Sequence, residues 1–286
     1  NLYSFIHVKF DPERFERNVI EPELRGLYET YANQQSSKTN VLSILVFSHN
    51  YFDSMTISNH DLVAISALCP GLSLFLFDEN IFSEVKTPKM KGYLENSIGS
   101  RVVSISENEL SVIKGNLITD SMAWLTFFEL TVYDLAYSEF IFEDNIFMEN
   151  YGISVLSIIG EEFGRIELLR NQIRNSNLNY DTLINVVVSS KLWKDLLISG
   201  NVLDSVHLIS GSYSQESLIH VSLRSNDISK VILSNFTMTD CSVELTHQNK
   251  ISGPRNALIS FMIPKSILVI EASLIKKTQA IGATYV

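Results

Sequence analysis

Cysteine, proline and glycine are all scarce in this chain: two, six and 12 among 286 residues. So few prolines and glycines exclude a long flexible linker, and no low-complexity tract or repeat period is evident. The cysteines, Cys69 and Cys241, lie far apart and make no stapled secreted scaffold. Basic residues are also in deficit, 22 Lys and Arg against 32 Asp and Glu, a net charge of −10. Such a surface repels phosphate backbones, so nucleic acid is disfavoured as a partner. A nucleic-acid-associated module would need Arg14/Arg17/Arg25 and Arg165/Arg170/Arg174 to gather on one face, yet both clusters are interleaved with acids. No apolar run reaches the roughly 18 residues of a membrane span. The longest apolar stretch, 118–142, is broken by Asp120, Glu129, Asp134 and Glu139. The expectation is a soluble, cytoplasmic (intracellular) protein without a membrane partner.

The common catalytic signatures are missing too. No Gly-x-Gly-x-x-Gly or Gly-x4-Gly-Lys-Ser/Thr occurs, which argues against a dinucleotide or P-loop site, and no cofactor is expected. Gly-x-Ser-x-Gly is absent, and neither cysteine has a basic neighbour in sequence to lower its pKa. His7, His207 and His220 fall within strand-like segments and read as structural histidines. Glu161 and Glu162 follow Gly160, where acids in a helix's first turn would complement its dipole.

What is present is a core: 45% of the residues are hydrophobic. Segment 2–10 reads as a strand, Asp11-Pro12 and Glu21-Pro22 as helix starts, and 33–40 as a loop. Apolar runs at 41–47 and 72–77 predict buried strands, with a helix from Ser58 to Leu68 as a parallel crossover between them. A hairpin is expected over 101–113. Leu125, Phe128, Val132 and Leu135 favour a helix in 119–142, against a strand-like composition. Strands at 153–159, 183–188 and 206–209, with helices on the Phe163/Ile166/Leu169/Ile173 stripe and over 191–198 ending at Gly200, predict a βαβαβ section. After 211 the segments are short and strand-rich. The fold class expected is α+β (mixed α/β), with that internal βαβαβ section followed by an antiparallel β-rich C-terminal section. The boundary falls near 210, giving units 1–210 and 211–286, or a change of sheet inside one domain.

Two clusters suggest function. His49, Asp53, His60 and Asp61 follow a buried strand, and imidazole and carboxylate are ligands that zinc, iron and manganese accept. Asn59-His60-Asp61 matches one piece of the metallophosphoesterase signature, but its Asp-x-His and Gly-Asp pieces are missing. A divalent metal and a phosphoesterase-like, metal-dependent hydrolase are therefore the alternative reading. The second cluster is a charge pattern, since no Lys or Arg occurs between Lys114 and Arg165. That stretch holds Glu129, Asp134, Glu139, Glu143, Asp144 and Glu149 among many aromatics. It reads either as an aromatic core with an acidic solvent face or as a docking surface over 115–164 for other protein subunits, self or hetero. The leading expectation is a protein–protein interaction or assembly component, a subunit of a larger complex rather than an enzyme.

Overall fold

The computed structural model describes residues 4–10, 44–56, 61–67, 72–86, 102–106, 108–132, 138–161, 163–179, 182–190, 195–210, 217–225, 229–245, 257–263 and 266–281. Among these there is no helix, and every strand pairing is parallel. The contrast between faces begins with side-chain alternation. Phe75 and Phe77 enter the central core, whereas Leu74 and Leu76, one residue out of step, are buried outside it. Each such strand pairs in register with its counterpart one winding later. The chain is therefore a β-solenoid, in which successive rungs stack as neighbouring strands.

A rung has three faces. The front face is an eight-stranded sheet of Ile44–Ser48, Leu72–Asp78, Asn108–Lys114, Ser138–Glu143, Phe163–Leu169, Asp195–Ser199, Ser229–Ser234 and Ser266–Glu271. These strands number the rungs one to eight. A narrow side face follows, typified by Tyr51–Asp53, Ile81–Ser83, Leu117–Thr119 and Ile146–Met148. The back face carries longer strands such as Met122–Val132, Tyr151–Glu161, Ile184–Ser190 and Ser217–Ser225. At the first rung the back face has an added strand, Ser4–Phe10, parallel to Asp61–Ala67.

Two left-handed corners flank the side face. The first is made by His49, Glu79, Gly115, Asp144, Arg170, Gly200, Asn235 and Ala272, all with φ between 48° and 68°. The second contains Ser54, Glu84, Asp120, Glu149, Asn175, Asp240 and Lys277, again at positive φ. Most of these are not glycine, so each corner stores backbone strain that the stack must over-determine. Backbone bonds do part of this: Glu79 N–H donates to Lys114 O at 3.1 Å and Arg170 N–H to Ser199 O at 2.8 Å.

An asparagine ladder does the rest. Asn50, Asn80, Asn116, Asn145, Asn171 and Asn201 each follow a first-corner residue, at intervals of 30, 36, 29, 26 and 30. From Asn80 to Asn201 they are buried. Every one but the last donates its backbone and side-chain N–H to the Oδ1 of the next, at 2.8–3.1 Å. Buried amides are thereby satisfied in a column running along the axis. A shorter column marks the second corner: Val85 N–H donates to Ser121 Oγ and Ser121 N–H to Asn150 Oδ1, while Asn150 N–H donates to Ser176 Oγ. Between the columns, Phe47, Phe52, Phe77 and Phe82 stack with ring centroids 4.9–6.1 Å apart.

Several sequence expectations are corrected. Among the described residues the fold is all-β and parallel, not α+β with an antiparallel C-terminal section. The segment expected as the helix from Ser58 contains the strand Asp61–Ala67, and 119–142 contains Met122–Val132 and most of Ser138–Glu143. The expected helix on Phe163 is Phe163–Leu169 followed by Gln172–Asn179, and 191–198 contains most of Asp195–Ser199. The hairpin over 101–113 is absent, because Val103–Ser106 and Asn108–Lys114 lie in different sheets. The C-terminal strands exist, but Ser229–Ser234 and Ser266–Glu271 run parallel. The physical reason lies at the corners. Ile166 and Leu168 alternate as strand residues should, then the turn at Arg170-Asn171 resets the phase before Ile173. Period two interrupted every few residues imitates the three-and-four spacing of a helix. The expected helices at 11–31 and the loop at 33–40 lie outside the described residues.

Candidate functional site

His49 is a first-corner residue, whereas Asp53 ends the side-face strand Tyr51–Asp53, just before the second corner at Ser54. His49 Nε2 meets Glu79 Oε2 at 2.8 Å, both side chains being exposed. His60 lies outside the described residues, and Asp61 opens the strand Asp61–Ala67. Among the described residues no group of three or more His, Cys, Asp or Glu converges as a metal would require.

The acidic, aromatic stretch is divided by the solenoid. Phe127, Phe128, Phe140, Phe142 and Phe147 point into the core and are buried. The acids are distributed over separate faces. Glu129 sits on the back sheet, Glu139 is buried on the front sheet, and Glu149 forms a second corner. Glu143 and Asp144 are engaged by Arg170, which donates to Asp144 through Nε and a terminal nitrogen at 2.9 Å each and to Glu143 at 2.7 Å. These contacts hold the guanidinium more firmly protonated than usual, Asp144 contributing most. Asp134 lies outside the described residues.

Two histidines face outward among polar neighbours. His207 sits between Asn177 and Ser242 in one row, its Nδ1 2.9 Å from Ser242 Oγ. His220 sits between Asn185 and Ser260, and burial lowers its pKa from 6.5. Neither row places a carboxylate next to the imidazole, so neither forms a relay that would make a hydroxyl a nucleophile.

Among the described residues the largest apolar exposure is in rung eight. In rung seven the core-facing Leu233 and Met238 are 1% and 0% exposed. Their register partners in rung eight, Ile270 and Ile275, are 58% and 50% exposed. Leu268, Ile267 and Leu274 are exposed with them. These side chains have the polarity of a core and the environment of a surface. The backbone of Ser266–Glu271 and Leu274–Lys276 is moreover the outer edge of its sheet in the described residues. An apolar row beside an unpaired strand edge is the usual template for adding a strand. The sequence reading recognised 267–275 as strand-forming but had no signal for its exposure, since Ile and Leu at these positions match the buried ones of earlier rungs.

At the opposite end, Tyr51 is 64% exposed, and Val46 and Asp53 are exposed with it. Comparison with known protein families, curated proteins and solved structures finds no match for this chain. Among the described residues no helix is long and apolar enough to cross a membrane.

Proposed function

We propose that this chain is an assembly component, a rigid solenoid that joins other protein subunits through its open eighth rung. The observation that carries the reading is the exposure of Ile270 and Ile275, whose counterparts one rung earlier are sealed in the core. Burying two such side chains is favourable by about 1.5–3 kcal/mol each, and added strand pairing fixes the geometry. The solenoid suits this role because each rung contacts only its neighbours, so an exposed apolar rung offers a surface on which a further parallel strand can add. Docking through the open end replaces the acidic stretch as the contact surface, because Arg170 already occupies Glu143 and Asp144.

The test is the mass of the purified chain in solution over a range of concentrations, by light scattering or sedimentation. The expected result is concentration-dependent association that the double variant Ile270→Asp, Ile275→Asp abolishes while keeping its β-type circular dichroism. A chain that stays monomeric at high micromolar concentration, or association unchanged in the double variant, overturns the reading.

A further inference from the structure

We propose that Asn235 is the acceptor of an N-linked glycan. The inference goes beyond the assembly reading and does not depend on it. Among the asparagines of the sequence, only Asn235 is followed two places on by Ser or Thr, in Asn235-Phe236-Thr237. Glycan transfer to asparagine requires that spacing, because the hydroxyl is recognised while the amide nitrogen reacts. Three residues match often by chance, and it is their place in the solenoid that distinguishes them.

In the first six rungs the asparagine after the first corner is committed to the ladder, both of its amide groups being hydrogen-bonded. Rung seven departs from this pattern. Phe236, 0% exposed, takes the ladder position, and the asparagine stands one residue earlier, on the corner itself. Asn235 has φ of 48° and is exposed. Its backbone N–H donates to Glu271 O at 3.2 Å, whereas its side chain makes no hydrogen bond among the described residues. In the corner column it lies between Gly200 and Ala272. Within one strand spacing of about 4.8 Å on either side, no side chain there is longer than a methyl group. At rungs four and five the same column is filled by the contact of Asp144 with Arg170.

Alternation places the hydroxyl correctly as well. Phe236 and Met238 point into the core, so Thr237, which opens the strand Thr237–Thr239, faces outward with Asn235. Asn175 offers an internal contrast. It too is exposed at a left-handed corner, with φ of 46°, but Asn175-Ser176-Asn177 has no hydroxyl in the required place.

The donor class is an oligosaccharide carried on a lipid pyrophosphate. Asn235 Nδ2 forms a bond to the anomeric carbon of the first sugar and gives up one proton. The bond from that carbon to the pyrophosphate oxygen breaks, and its electron pair leaves with the lipid pyrophosphate. On a ladder residue such as Asn171 or Asn201 the product would displace the buried column. On Asn235 it projects into solvent, so the solenoid can close with the glycan attached. A glycan there places the folded rungs outside the cytosol, against the cytoplasmic expectation.

The experiment takes the full-length chain from the cells that make it and reads the Asn235 peptide by mass spectrometry. The peptide is compared with and without the amidase that releases N-linked glycans. The expected result is a glycopeptide that the amidase converts to the bare peptide with aspartate at position 235, while Asn175 stays unmodified. Thr237→Val and Thr237→Ser supply the second arm, with β-type circular dichroism as the check on folding. Valine keeps the shape without the hydroxyl, so the glycan is lost; serine keeps the hydroxyl, so the glycan remains. An Asn235 peptide recovered wholly unmodified overturns the proposal, whatever the variants do. So does a sugar that persists in Thr237→Val, or one that resists the amidase and maps to the Thr237 hydroxyl.

Discussion

Asn145 Oδ1 accepts two hydrogen bonds from Asn116, one from the backbone N–H at 3.1 Å and one from Nδ2 at 2.8 Å. Its own Nδ2 donates to Ile113 O and to Asn171 Oδ1, at 3.0 Å each. One amide therefore ties three consecutive rungs together at a fully buried corner. Asn145→Ala removes all four bonds and leaves the buried Asn116 backbone N–H without its acceptor, while Asn116 Nδ2 keeps Phe77 O and Lys114 O. The loss expected is about 2–4 kcal/mol of unfolding free energy, readable by denaturant titration with the m-value unchanged. A loss below about 0.5 kcal/mol would mean that water takes over the ladder and that the column does not hold the corner.

Gly160 lies inside the strand Tyr151–Glu161 with φ of 150°. A Cβ built there would stand 1.9 Å from Val132 O and 2.9 Å from Val132 N, on the neighbouring strand. Backbone cannot yield as a flexible side chain does, so Gly160→Ala must push two rungs apart. The expected destabilisation is about 3 kcal/mol or more, seen as a lowered thermal midpoint. Gly115→Ala is the control, since its added Cβ would meet the flexible Glu79 side chain at 3.2 Å. It should cost less, about 1 kcal/mol of left-handed strain. Equal losses in the two variants would show that strain, not contact with Val132, makes the glycine necessary.

Much of the strand content was legible in the sequence, and the rungs were not. The strand expectations at 41–47, 72–77 and 183–188 meet the strands Ile44–Ser48, Leu72–Asp78 and Ile184–Ser190, and the first two do pair in parallel. Gly200 was legible as a left-handed residue, with φ of 68°, but it turns a strand corner instead of ending a helix. The repeat escapes notice because its ladder residues recur at 26 to 36 residues, with insertions between faces of unequal length. Nor does residue type mark the corners, where His, Glu, Asp, Arg and Ser share one backbone conformation. Exposure at Ile270 and Ile275 was illegible for a different reason. Ile270 and Ile275 have the residue types of buried positions in earlier rungs, and they differ only in having no described strand stacked beyond them.

Glu149 occupies a second corner at φ of 57°, is exposed, and is one of the acids expected to form a docking face. Asparagine tolerates the left-handed region better than glutamate, without the unfolded-state entropy of glycine. Glu149→Asn is therefore expected to stabilise the fold by about 0.5–1 kcal/mol and to leave self-association unchanged. Calorimetry and light scattering on the same sample read both. Weakened association without loss of stability would return the acidic stretch to consideration as a contact surface.

His220 is held neutral by partial burial on the back face, between Asn185 and Ser260, and its pKa lies below the ordinary 6.5. The unfolded chain therefore binds a proton at this site more readily than the folded chain does. Stability contributed by the neutral ring is fully present above pH 6.5 and is lost as pH falls from there through the lower folded value. His220→Gln retains a polar group of similar reach that does not titrate. The unfolding free energy of wild type minus variant is expected to be flat above pH 7 and to fall steadily on acidification. Carboxylates that titrate in both proteins cancel from this difference. A difference that is level from pH 7.5 to 5 would mean that the folded chain protonates His220 as easily as the unfolded one, and that the ring is more hydrated than its place on the sheet implies.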